Sequence, residues 1–340
     1  NEKRKNNIIA WPEDKAVKPG ENDVLIPAIR ARLSNGKESI APEDSLLYDD
    51  MLEMKVKDFQ KKSGVKEDGV LGPSTVARMN QGPDFFIEKI ILNLERLRWE
   101  VDMAKHAVWL NIPDYHVTLF EEGSPIMDMK AIVGEVEDDH ATPVFTDTMK
   151  YLVFSPKWTV PYSIMSKEFL PNLQQNPTYY GDSYKFFYQG KEINPDTVNW
   201  NRIDKEYFPY QVVQQPGDKN ALGKVKFIMP NAMSIYMHDT PADYLFNRKR
   251  RDFSHGCVRV EHPRELAVQL LEEEGWTPEK VDELLHEDEP KRIYLDQPYQ
   301  VKLTYRTAFV NDNEDLEFAQ DIYGHDDKQL RYLKKKREHL

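Results

Sequence analysis

The sequence has one cysteine, Cys257, in 340 residues, so no internal disulfide can form. An oxidising compartment is therefore compatible only if that thiol stays free, as a working thiol would. No run of eighteen apolar residues occurs, which excludes a transmembrane helix. Positive charge is the minority: 46 Lys and Arg stand against 58 Asp and Glu, for a net charge of -12. That balance argues against nucleic acid as the main partner. Neither a CxxC nor an HxxxH spacing is present, so a structural zinc site is not expected, and no metal or cofactor is called. The chain opens on Asn1 rather than Met, which suggests a start after a removed segment or at a cut boundary. Its length allows two or three domains.

The lone cysteine sits in Ser254-His255-Gly256-Cys257-Val258-Arg259, downstream of His238, which ends the apolar run Ile235-Tyr236-Met237. An acyl-transfer thiol needs a base, an exposed backbone position and N–H donors for the oxyanion. His238 fits the base, and Gly256 permits a tight turn on which the Gly256 and Cys257 amides can converge. A thiol next to a histidine is expected to have a depressed pKa. Arg259, two residues past the thiol, points to the same face if the segment is extended. Its planar fork suits a substrate carboxylate, and a scaffold pairing with Glu261 or Glu265 is the competing role. A small buried hydrophobe is the bland alternative for Cys257 itself.

The whole constellation resembles the L,D-transpeptidase (YkuD-type) catalytic domain. Fifteen residues (239–253) separate His238 from Ser254-His255-Gly256-Cys257-Val258, as in that family. Ile235-Tyr236-Met237-His238-Asp239-Thr240-Pro241 and Cys257-Val258-Arg259-Val260 are similar to its long periplasmic subtype. The resemblance implies catalytic Cys257, His238, Gly256 and His255, with His255 supporting rather than essential. It implies substrate contacts from Arg259, Ser254, Tyr236 and Asp239, although many members carry Ser where Asp239 stands. The His238 ring is expected to be held by a backbone carbonyl. The implied partners are peptidoglycan stem peptides and glycan, with carbapenems as covalent inhibitors, in the periplasm or cell envelope. The implied reaction releases terminal D-alanine and cross-links stems through a thioester. An L,D-carboxypeptidase acting on the same bond, and a non-catalytic wall-binding protein, stay open. A papain-like protease has the reverse order of cysteine and histidine.

Residues 1–20 read as a tail. Leu25, Ile26, Ile29 and Leu33 recur at helical spacing, and Leu46, Leu47, Met51, Met54, Val56 and Phe59 mark a longer helix stopped at Ser63-Gly64. Phe59-Gln60, Asp68-Gly69-Val70 and Gly72-Pro73-Ser74-Thr75 resemble the three-helix peptidoglycan-binding domain, placed at 21–82. Asp84 is the expected cap of the next helix. The fold class that follows is α+β: a mostly antiparallel catalytic sheet domain with helices at 84–323, plus the small helical domain. Prolines and aromatics at 157–223 break the strand pattern and suggest an insertion, which the resemblance to the long subtype implies is a substrate-capping one. The acidic loop Gly134–Pro143 and the run Arg248-Lys249-Arg250-Arg251 are expected to be solvated. A helix from Arg264 to Glu274, another opened by Thr277-Pro278, a strand at Gln300–Val310 paired by Phe318–Tyr323, and a basic C-terminal helix at 324–340 complete the expectation.

Overall fold

The computed structural model describes residues 8–34, 46–137, 140–272, 275–311 and 314–337. The chain forms two compact units. One comprises 1–102, 111–114 and 305–340, and the other 103–110 and 115–304. This division cuts the chain differently from the expected limits at 21–82 and 84–323.

The first unit begins with α1 (Ile26–Leu33), α2 (Asp50–Ser63) and α3 (Pro73–Asn80). Asp49 starts α2 by accepting the Leu52 N–H, and Gly64 ends it in the left-handed region at φ 71°. Ile26, Ile29, Tyr48, Leu52, Val56, Leu71 and Val76 form the core. The residues Gln60, Asp68-Gly69-Val70 and Thr75 cohere for a physical reason. Buried Gln60 accepts the Asp68 and Gly69 N–H groups at 3.0 and 2.9 Å and donates to Asp68, Val70 and Thr75. One amide thus saturates the turn that aligns α2 with α3.

Next comes α4 (Pro83–Trp99), which begins at Gly82 with Asp84 inside its first turn, so the expected Asp84 cap is corrected. Proline at the first helical position needs no N–H partner and starts the helix one residue earlier. Of the apolar residues expected in the longer helix, Leu46, Met51 and Met54 are exposed, and Ile87, Leu94 and Leu97 of α4 are exposed too, because packing covers only part of each apolar stripe. The buried face of α4 combines Leu92 with the polar Lys89 and Asn93. Lys89 donates to the Ala319 carbonyl at 2.8 Å, Asn93 to Thr307 at 3.0 Å, and Arg96 reaches Asp326 at 2.8 Å.

The second unit is built on strands β1 (Ala107–Asn111), β2 (His116–Glu121), β3 (Ser124–Gly134), β4 (Phe145–Phe154), β5 (Trp158–Thr159), β6 (Tyr184–Tyr188), β7 (Lys191–Ile193), β8 (Tyr210–Gln214), β9 (Val225–Ile228), β10 (Met237–His238), β11 (Asp252–Ser254), β12 (Val258–Val260) and β13 (Lys291–Thr304). The order β11-β3-β12-β10-β9-β4-β13-β1-β2, with β3 also pairing β2, closes eight strands into a circuit with β11 added. Most pairings here are antiparallel, but β10 and β12 run parallel, with His238 opposite Arg259. Helices α5 (Pro263–Glu272) and α6 (Pro278–Leu285, capped by Thr277) belong to this unit. The last expected residues of α5, 273–274, lie outside the described residues.

The segment read as breaking the strand pattern carries a sheet of its own, β5-β8-β6-β7. Its core is Val160, Phe169, Leu173, Phe186, Trp200, Phe208 and Val212. The helical pieces Tyr162–Ile164, π-helical Met165–Phe169 and Leu170–Gln175 lead into it. The expected strand at Gln300–Val310 is two elements: β13 ends at Thr304, and β14 (Ala308–Val310) pairs β15 (Leu316–Phe318) in the first unit. The C-terminal α7 (His325–Arg337) closes that unit, with residues 338–340 outside the described residues.

Two loop expectations are corrected. Thr142 in the loop after β3 is buried and bridges the Gly134 N–H and the Gly256 carbonyl at 2.8 and 2.9 Å. Arg251 is buried and donates to the Ala131, Tyr115 and Arg248 carbonyls. Carbonyls left outside the sheet ladder need donors, and Arg251 and Thr142 supply them.

Candidate active site

Strands β9, β10 and β12 place Lys226, His238 and Arg259 side by side, since Lys226 registers with His238 and His238 with Arg259. Laterally paired residues share a sheet face, so the imidazole stands between two cations. His238 is only 5% exposed. Burial first, then the charges of Arg259 and Lys226, push its pKa from 6.5 to about 3. Its Nδ1 lies 2.5 Å from the Asp239 carbonyl, the backbone contact the resemblance implied. With Nδ1–H donating there, Nε2 is the nitrogen left to take a proton.

Gly256, at φ 110°, holds a backbone shape that side chains resist. Ser254 closes this turn: its hydroxyl donates to the Cys257 carbonyl at 2.5 Å and accepts the Gly256 N–H at 3.2 Å. The Gly256 amide is thereby engaged, contrary to its expected aim at an oxyanion. Ser254, expected to touch substrate, shapes the loop and also lines the cavity. Asp239 likewise turns its carboxylate to the Lys224 and Thr240 N–H groups, at 2.7 and 2.6 Å. Its side chain fills the space beside Gly223, where a Cβ would sit 2.2 Å from the carboxyl carbon.

The Cys257 sulfur faces the Ser234 carbonyl at 3.7 Å, with Ser234 itself left-handed at φ 57°. Tyr236, through its backbone and its side chain, acts on the thiol pKa. Burial pushes the thiol pKa up, and Tyr236, Arg259 and Lys226 oppose that without reversing it. The sequence alone suggested a depressed thiol pKa. The correction has a clear cause, since desolvation outweighs the neighbouring charges.

Cys257, His238, Ser254, His255, Tyr236 and Arg259 line one cavity of about 440 Å³. Trp158, Tyr179, Tyr180 and Tyr184 of the capping segment complete its wall. Glu168, in the π-helical turn, holds the His255 Nε2 at 2.8 Å. The Arg259 Nε is buried without a hydrogen-bond partner among the described residues. Glu261 binds Lys130 at 2.7 Å, and Glu265 faces Arg264 at 3.9 Å, so neither carboxylate takes the scaffold pairing with Arg259. Lys226 and Glu168 were not singled out from the sequence. Lys226 had a signal in the pairing of β9 with β10, whereas Glu168 had none.

The L,D-transpeptidase catalytic domain family (YkuD) matches residues 105–281. The family described as "Putative peptidoglycan binding domain" matches residues 28–79. A Haemophilus influenzae protein named "Putative L,D-transpeptidase" is 36% identical over 241 residues, covering 70% of this chain and 48% of that relative. This chain belongs to the L,D-transpeptidase family. It spans about half the length of that curated relative. An L,D-transpeptidase structure from Xylanimonas cellulosilytica aligns at 14% identity and TM-score 0.27, over 86% of this chain and 100% of its own. One from Mycobacterium smegmatis aligns at 12% and 0.28, over 59% of each chain. Among the described residues no helix is long and apolar enough to cross a membrane.

Proposed function

We propose that the chain is a peptidoglycan L,D-transpeptidase that cross-links stem peptides through a thioester on Cys257. The observation that carries this reading is half-buried Arg259, whose Nε is buried without a partner among the described residues in the cavity that also holds Cys257 and His238. A buried unmatched donor on a cation is costly until an anion meets it. A stem peptide offers carboxylates close to the scissile bond, and the guanidinium can take one bidentately.

In the proposed sequence His238 Nε2 takes the thiol proton as Sγ attacks the carbonyl carbon of the diamino-acid residue. The Cys257 N–H and the Tyr236 hydroxyl face the developing oxyanion. The C–N bond breaks, His238 returns the proton, and D-alanine leaves. The amine of a second stem then attacks the thioester. Sulfur departs as thiolate and recovers its proton through His238. The resting pair is a neutral thiol and a neutral imidazole, because burial disfavours both ions. Water in place of the amine gives the carboxypeptidase, which the same cavity admits. The helices α1–α3 support attachment to peptidoglycan in the cell envelope, and carbapenems are the expected acylating inhibitors.

Incubation with a carbapenem followed by intact-mass measurement tests the reading. The parent should gain one adduct and Cys257→Ala none, and Cys257→Ala should lose all turnover of a muropeptide with its thermal midpoint unchanged. Turnover by Cys257→Ala at the parent's rate would end the assignment.

A further inference from the structure

Beside the cavity, on the loop after β3, Glu135 and His140 converge with His255. Each offers one ligand atom, and the three atoms lie within 4.8 Å of one another. The His140 Nδ1 is 2.8 Å from Glu135 Oε1, and the two imidazole rings sit 4.4 Å apart between centroids. Only His255 of the three lines the catalytic cavity. We propose that Glu135, His140 and His255 form a binding site for a divalent transition-metal ion of the zinc type, with Glu168 as the carboxylate that orients His255.

The donor set argues for this class of ion. Two imidazoles and one carboxylate suit zinc and leave a fourth position open. Tetrahedral zinc holds its donors roughly 3.4 Å apart, so His140 and Glu135, now 2.8 Å apart, must open slightly while the widest pair, within 4.8 Å, draws in, which side-chain rotation accommodates. Metal-bound histidine usually gives its other ring nitrogen to a carboxylate, which sets the ring's orientation. His255 already has that partner, since its Nε2 meets Glu168 Oε1 at 2.8 Å. Metal entry replaces the proton now shared between His140 and Glu135, so binding releases protons.

The backbone carrying these ligands is tied together before any ion arrives. The Glu135 N–H donates to the Ser254 carbonyl at 2.9 Å. Thr142 joins the Gly134 N–H to the Gly256 carbonyl. Gly134 lets the loop close on itself, because a Cβ there would lie 1.8 Å from the His140 carbonyl oxygen. Ligands on segments braced in this way need little reorganisation on binding.

Cobalt(II) is the probe, titrated into full-length Cys257→Ser so that the thiolate is removed as a ligand. Saturable visible absorption near one equivalent, reversed by zinc, is expected. Adding His140→Gln or Glu135→Gln should weaken binding at least tenfold. Adding Glu168→Gln, a half-exposed surface change, should weaken it by about tenfold through His255 alone. If Cys257→Ser shows no saturable binding, the three residues are hydrogen-bonded partners only and the proposal fails. It fails equally if cobalt affinity is unchanged in both His140→Gln and Glu168→Gln; Glu168→Gln keeps the test decisive should His140→Gln not fold. The readout is independent of the thiol, so this proposal and the transpeptidase reading can fail separately.

Discussion

Two clusters of cations, one buried around Asp326 and one half-buried beside His238, sit one in each compact unit, and they are solved in opposite ways. In the first unit Lys89 and Arg96 surround Asp326 at 3.3 and 2.8 Å, and Thr307 meets both Asp326 oxygens. That charge is neutralised inside the protein. In the second unit Lys226 and Arg259 flank His238 across three strands, and no carboxylate among the described residues pairs with Arg259. A buried ion pair that is complete serves the fold, whereas half-buried cations left open await an anion from outside. The electrostatics follow the same division. His238 is driven to about 3 by burial, Arg259 and Lys226, while Asp326 holds α7 and α4 to Thr307.

The largest effect should come from emptying the closed cluster. Asp326→Ala strands Lys89 and Arg96 without a counter-charge and should cost about 3–5 kcal/mol. Thermal melting should show a fall of roughly 10 °C. A midpoint within a degree or two of the parent would erase the distinction between the clusters.

Arg259→Met tests the open cluster from the other side. Muropeptide turnover should fall about 100-fold, as expected for a lost charge-assisted contact of about 2.7 kcal/mol. The midpoint should hold or rise, because a buried unmatched Nε donor is removed. Arg259→Lys should retain part of the activity, since the charge remains without the planar fork. A midpoint that drops by many degrees would make Arg259 scaffold, like Lys89.

A third test is pH. The folded pKa of His238 lies near 3 against an ordinary 6.5, so between those values the unfolded chain binds the extra proton. Stability from the neutral buried ring is therefore complete above pH 6.5 and is lost as pH falls toward 3. Urea midpoints measured across that window should decline more steeply for the parent than for His238→Gln. Parallel slopes would mean that His238 is solvated after all.

The smallest effect belongs to Lys226→Met. Its charge lowers both the His238 and the Cys257 pKa, so removing it should raise both. Iodoacetamide should then alkylate Cys257 several-fold more slowly at neutral pH, with the profile moved to higher pH. An unchanged profile would show that only Arg259 acts on the thiol.

The pattern Ser254-His255-Gly256-Cys257 with His238 upstream was enough to name the family, because spacing and residue type are local properties that survive without coordinates. The Gln60, Asp68-Gly69-Val70 and Thr75 pattern was legible for the same reason, as its hydrogen bonds close within sixteen residues. Several roles were not legible. Ser254 and Asp239 were read as substrate contacts, and the backbone N–H groups that claim them depend on the turn each residue occupies. Arg251 read as one of four solvated cations and is buried, because the carbonyls it serves come from β3 and Tyr115, more than a hundred residues away in sequence. The thiol pKa was misread in direction, since burial is a property of the closed cavity and not of neighbours along the chain.

By itself the sequence determined the chemistry available: one thiol, a histidine at family spacing, a glycine turn and an arginine two residues on. Tertiary structure alone decided which charges are answered. The register of β9, β10 and β12 lined up Lys226, His238 and Arg259 on one face, and the packing of α4 against Thr307 and Asp326 closed the other cluster. Register and packing join residues far apart in the chain, and charge in a low-dielectric interior is governed by those neighbours.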